Sequence, residues 1–127
     1  ISAGGGGIPV YRDNRGLLEG MDAVIDKDLG SAVLAREIGA DVLCILTSVD
    51  QVAINFGTPA QKNIDSCTLA EIKRYRTEGH FPAGSMGPKI EAAIEFLSGG
   101  GRMVTISSFA NARKALAGSA GTRIVPD

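Results

Sequence analysis

The run Asp41-Val42-Leu43-Cys44-Ile45-Leu46-Thr47 is apolar almost without interruption over the length of a strand. Hydrophobicity of that length between turn residues is the pattern of a central parallel strand, because crossover helices cover both faces of such a sheet. Met103–Ser107 repeats it. A chain with two such strands must supply helices to cover them, and helical patterns lie between and around both. Asp26–Ile38 places Leu29, Val33, Leu34 and Ile38 on or near one face, with Gly39 as the stop. Thr68-Leu69-Ala70-Glu71 is a capping box that opens a helix over 69–78, and Cys67 and Ile72 are spaced for a hydrophobic staple outside it. From about Met86 to Leu97, the residues Met86, Ile90, Ala93, Ile94 and Leu97 form one stripe that faces a sheet. A further helix starts at Ser108 or Asn111 and runs through Leu116, before a last short strand over Thr122–Val125. Residues 12–20 read as a polar hairpin, and Met21–Ile25 as a short strand. This alternation predicts an α/β fold: three layers, with a mostly parallel sheet and helices on both faces.

At 127 residues the chain forms one domain with a real core. Its formal net charge of −1 and the lack of any long basic run give no electrostatic footprint for nucleic acid. No apolar stretch approaches the roughly 18 residues of a membrane span. With a single histidine and two cysteines that lack CxxC spacing, a zinc site built by the protein is not expected. Cys44 sits inside the apolar run and reads as a buried free thiol, which suits a reducing cytoplasm. The chain opens on Ile1-Ser2-Ala3, a strand that feeds Gly4, Gly5, Gly6 and Gly7 directly, and this reads as a piece of a longer protein. It has no charged start followed by a long apolar run, so the opening is not read as a secretory signal.

Chemistry concentrates in two stretches. Gly84-Ser85-Met86-Gly87-Pro88-Lys89 is a glycine-rich turn running into a helix, with Ser85 placed to cap and Pro88 tolerated in the first turn. Such a turn offers backbone N–H groups and the positive end of a helix dipole to a phosphate, and Lys89 adds a full charge. Ile25-Asp26-Lys27-Asp28 puts a second lysine and an acid at another helix mouth. Taken alone, Lys27 and Asp28 suit ordinary helix-start chemistry, with the acid favoured by the dipole and the lysine solvated. Two lysines, an acid and glycines together read as a phosphoryl-transfer site. Thr47, Ser48 and Asp50 stand at the carboxyl end of the first buried strand, where ligands bind in open α/β sheets. Gly4–Gly7 by themselves suit a flexible linker, but their apolar flanks argue for a loop within the fold. His80 is read as a loop residue, and Glu71, Lys73, Arg74 and Arg76 as a solvated face.

The stretches AGGGGIPV (3–10), AVIDKD (23–28), LTSVD (46–50), INFG (54–57), GSMGPKIEAA (84–93) and the closing GTRI (121–124) resemble, in order and over the whole chain, the carbamate kinases of the amino-acid kinase fold. The resemblance implies the carboxyl-terminal, nucleotide-binding lobe, over residues 1–127, of an enzyme that exchanges ATP and carbamate for ADP and carbamoyl phosphate. In that family the reaction usually runs toward ATP in arginine catabolism. The resemblance assigns Lys27 and Lys89 to the transferring phosphoryl group and Asp28 to holding the lysines. It places Gly4, Gly5, Gly6 and Gly7 near carbamate and the phosphoryl end. Thr47, Ser48, Val49, Asp50, Ile54 and Phe56 match the adenosine site, and Gly84, Ser85, Met86 and Gly87 the polyphosphate. It further implies Mg²⁺ held through ATP phosphates, a cytoplasmic enzyme and a homodimer when complete. Ala53 departs from the family pattern, where a tyrosine is expected, which puts adenine packing by that side chain in question.

Three other readings stand beside this one. One is another amino-acid kinase relative, acting on acetylglutamate or UMP. The second is a Rossmann dinucleotide module, although Gly4–Gly7 is followed by Ile-Pro-Val and a hairpin instead of a helix. The third is a non-catalytic nucleotide-binding fragment, since an incomplete carbamate pocket would turn over poorly.

Overall fold

The structure is a computed structural model that describes residues 6–127. The opening strand, Gly4 and Gly5 lie outside the described residues. A hairpin comes first: β1 (Val10–Arg12) pairs antiparallel with β2 (Leu18–Gly20), as the sequence predicts for this polar excursion. The chain then passes through an irregular segment, without the expected strand at Met21–Ile25, into α1 (Lys27–Glu37).

The main sheet has four strands in the order β3-β7-β8-β6, where β3 is Val42–Thr47, β6 Ser66–Thr68, β7 Met103–Ser108 and β8 Thr122–Val125. The β3–β7 and β6–β8 pairings are parallel, and β7–β8 is antiparallel. The sheet is therefore mixed, and among the described residues β3 is an edge strand and not the central one. Val42, Cys44 and Leu46 are accordingly only partly buried or exposed, and the centre passes to β7. A small hairpin of β4 (Ala53–Ile54) and β5 (Lys62–Asn63) projects beyond the carboxyl end of β3.

Helices α1, α2 (Leu69–Thr77) and α3 (Met86–Ser98) cover the face that carries Leu43, Ile45, Val104, Ile106 and Ile124. Registers Leu43↔Val104 and Ile45↔Ile106 put these side chains side by side. The short α4 (Ala112–Leu116) serves the opposite face, where its buried Ala115 borders a groove with Ser66 and Arg123. Three layers with helices on both faces follow, as expected.

The capping box forms: Thr68 Oγ1 accepts from Glu71 N, and Glu71 Oε2 accepts from Thr68 N. The staple residues Cys67 and Ile72 both enter the core. α3 buries Ile90, Ala93 and Leu97 of its predicted stripe, together with Ala92 and Phe96. α1 departs from its predicted stripe. It turns Asp28, Ala32 and Ala35 inward, while Val33 and Ile38 are 43 % and 70 % exposed. Small residues let α1 approach α3 closely: a Cβ on Gly99, just past α3, would meet Arg36 Cδ at 2.6 Å. Among the described residues, no helix is long and apolar enough to cross a membrane.

Candidate active site

The start of α1 is fixed by Asp26, whose Oδ1 accepts from Asp28 N at 2.8 Å and Leu29 N at 3.2 Å. This cap takes the local role that Asp28 would otherwise fill and frees the Asp28 side chain for another. Asp28 is buried. Its Oδ2 accepts from Lys89 Nζ at 2.8 Å and lies 3.5 Å from Lys27 Nζ. The Lys89 and Asp28 side chains are only 13 % and 11 % exposed, against 57 % for Lys27. One carboxylate thus joins the first turns of α1 and α3 and anchors two ammonium groups. The cluster keeps one net positive charge, with the more exposed lysine facing solvent. Such a centre attracts and orients an anion.

Gly6 reaches the same helix mouth, while Gly7 stands in open space. Gly6 has φ 95° and runs so close to the Ile25 carbonyl that a Cβ would collide with it, and Gly30 has no room for a Cβ because the Gly6 carbonyl oxygen would lie 2.8 Å away. Gly6 is thereby packed against the mouth of α1. On the other side, Gly87 N–H donates to the Pro82 carbonyl at 2.9 Å, and a Cβ there would meet that oxygen at 2.8 Å. Ser85 occupies the N-cap position of α3 but makes no side-chain cap, contrary to expectation. Ser85 N and Gly87 N both turn back onto Pro82, and Pro88 has no N–H, so this helix mouth offers fewer free donors than its glycines suggest.

A cleft of about 250 Å³ opens beyond the carboxyl end of β3. Thr47, Ser48, Val49, Phe56, Ser85 and Met86 line it, all expected from sequence. Met86 leads along α3 to Lys89, one turn on, so the cleft and the charged cluster adjoin. The remaining expected residues stand off the cleft lining. Asp50 accepts from Asn111 Nδ2 at 2.9 Å and from Ser107 Oγ at 3.3 Å, Ile54 packs on the core, and Gly84 and Gly87 shape the turn.

The lining adds Ala53, the position that departs from the family pattern, and Gln51, His80, Phe81 and Pro82, which sequence reasoning did not assign to a site. The available signal was an aromatic and proline run immediately before the glycine turn. His80 and Phe81 present their rings edge to face, with centroids 6.5 Å apart. Ala53 is buried in the wall, so no aromatic ring is supplied from that position. Cys44 is free and partly buried, and burial pushes its thiol up from the ordinary value.

A family model described as the amino acid kinase family matches residues 3–108. The chain is 52 % identical over 98 % of its length to a carbamate kinase-like protein of Escherichia coli, YahI, and covers 40 % of that protein. It is 50 % identical, again over 98 % of its length, to the carbamate kinase of Thermococcus kodakarensis, of which it covers 39 %. The chain therefore spans about two-fifths of the curated relatives it matches. Among solved structures, a carbamate kinase from Giardia lamblia bound to AMP-PNP superposes with a TM-score of 0.92 at 47 % identity, over 97 % of this chain and 43 % of that one.

Proposed function

The chain belongs to the amino acid kinase family, and on that premise we propose that residues 1–127 are the carboxyl-terminal, nucleotide-binding lobe of a carbamate kinase, with part of its phosphoryl-transfer centre. The carrying observation is the Lys89–Asp28–Lys27 cluster beside the cleft. The likeness to carbamate kinases, one of them bound to AMP-PNP, supports both the nucleotide and the acceptor.

In this reading the cleft seats the adenosine of ATP, and the polyphosphate runs past Ser85 and Met86 toward Lys89 and Lys27. The loop that includes Gly6 and Gly7 borders the acceptor. A carbamate oxygen forms a bond to the γ-phosphorus as the bond from that phosphorus to the β–γ bridging oxygen breaks, giving carbamoyl phosphate and ADP. The reverse direction makes ATP and is the one proposed to serve arginine catabolism in the cytoplasm. Phosphoryl transfer asks mainly for positioning and for positive charge around the transferred group. The two ammonium groups supply the charge, and Asp28 fixes where they stand. Among the described residues, no group of three or more His, Cys, Asp or Glu is placed to hold a metal. The carboxylate at the lysines is already bonded to both, so Mg²⁺ enters with ATP as part of the substrate, held by phosphate oxygens.

The test has two arms. Titration calorimetry on the 127-residue chain should show ADP and Mg-AMP-PNP binding, with little conversion of carbamoyl phosphate and ADP to ATP. The complete protein, a homodimer in this reading, should carry out that conversion. Phosphorylation of acetylglutamate or UMP in preference to carbamate would assign the chain to another branch of the family. Nucleotide binding without turnover in the complete protein would leave a non-catalytic binding role.

A further inference from the structure

We propose that His80 is a positioning residue that holds the Asn55–Phe56 wall of the cleft in place, and that loss of its ring acceptor releases this wall and weakens nucleoside binding. The inference rests on the nucleotide reading of the cleft given above.

The loop over residues 55–61 is closed on itself. Asn55 Nδ2 donates to the Ala60 carbonyl, Thr58 N and Oγ1 donate to the Asn55 carbonyl, and Gly57 N donates to Gln61 Oε1. Asn55 is the one described non-glycine residue with positive φ, at 52°, so the turn pivots on it. Among the described residues, one hydrogen bond of this loop reaches outside it: Asn55 N donates to His80 Nδ1, at 3.5 Å. Phe56, the next residue, lines the cleft opposite Met86 and Phe81.

The other ring nitrogen, Nε2, lies 3.3 Å from Glu78 Oε2. The ring stands edge to face with Tyr75 and with Phe81, at centroid distances of 6.0 and 6.5 Å. Glu78, at the cap of α2, and these two rings hold the imidazole where Nδ1 meets Asn55 N. Arg74 stands behind them, 3.7 Å from Glu78 and 5.1 Å over the Tyr75 ring. His80 and Phe81 line the same cleft as Phe56 and Met86.

The probe is adenosine, which tests the nucleoside cleft without the phosphates. His80→Asn puts an amide oxygen near the place of Nδ1, and His80→Phe keeps a ring but no acceptor. His80→Asn should bind adenosine within about twofold of wild type, while His80→Phe should bind about fivefold more weakly, the scale of one hydrogen bond. The Asn55 amide resonance should shift in His80→Phe and return toward its wild-type position in His80→Asn. A His80→Asn chain as weak as His80→Phe, or an Asn55 amide that is the same in all three chains, overturns the proposal. If wild type fails to bind adenosine, the nucleotide reading falls and takes this role of His80 with it. Binding that is the same in all three chains overturns the role of His80 alone.

Discussion

Lys89 Nζ lies 2.8 Å from Asp28 Oδ2, although 61 positions of sequence separate the two residues. The pair ties the first turn of α3 to the first turn of α1 and is shielded from most solvent on both sides. The pair has a structural load and, in the proposed function, a catalytic one, and substitutions separate the two.

Lys89→Ala in the complete protein should lower kcat by about 10²–10³-fold, the scale of removing one preorganised charge from a transition state. The Kd for ADP should stay within about threefold, because the cleft proposed to seat the nucleoside is untouched. Steady-state kinetics beside calorimetry checks this. Equal losses in both would place Lys89 in ground-state binding.

Asp28→Ala should destabilise the fold by about 3–5 kcal/mol, because it leaves the little-exposed Lys89 ammonium without its carboxylate. The double variant Asp28→Ala with Lys89→Met should recover most of that loss while remaining inactive, since replacing a buried pair by apolar groups is close to neutral. Urea denaturation of the four chains of the cycle measures it. A double variant no more stable than Asp28→Ala would refute a buried-charge cause.

Thr122→Val should cost about 1–3 kcal/mol, the penalty for stranding buried partners. Thr122 Oγ1 is fully buried, accepts from Val52 N at 2.8 Å and donates to the Ile64 carbonyl, so it joins β8 to both flanks of the β4–β5 hairpin. Chemical denaturation and quickened amide exchange at Val52, whose N–H loses its acceptor, give the two readouts.

Cys67 is buried, and that burial, with Glu71 nearby, pushes its thiol from 9.0 to about 11. The folded state thus binds this proton more tightly than the unfolded state does. Its contribution to stability is complete below about pH 9 and is lost as the pH rises toward 11. Denaturation midpoints at pH 8, 9.5 and 11 should fall more steeply for wild type than for Cys67→Ala. Parallel curves would remove Cys67 as the source.

Local signals carried much of this molecule. The capping box at Thr68 and Glu71, the end of α1 at Gly39 and the gathering of Lys27, Asp28 and Lys89 were all legible, because each depends on residues within one turn or on a charge pattern at a helix mouth. Pairing across the sheet was less legible. Nothing in the apolar run at 42–47 distinguishes an edge from a centre, and the neighbours of β3 are set by β7, far along the chain. Periodicity found an apolar stripe on α1, but close packing against α3 selected Ala32 and Ala35 and turned Val33 and Ile38 outward. Ser85 has the right type and position for a cap, yet the turn closes through the Pro82 carbonyl instead. His80 reads as a loop residue because its partner, Asn55 N, lies on another hairpin.

The close fit of Gly6 against Ile25 and Gly30 has a mechanical meaning. With no side-chain buffer between them, loop and helix move as meshed gears: a displacement of the backbone at Gly6 shifts the first turn of α1, and Lys27 and Asp28 travel with it. In the proposed reading, an acceptor arriving at the loop would be felt at the charges proposed to handle the phosphoryl group, and a single methyl on Gly30 would jam the train.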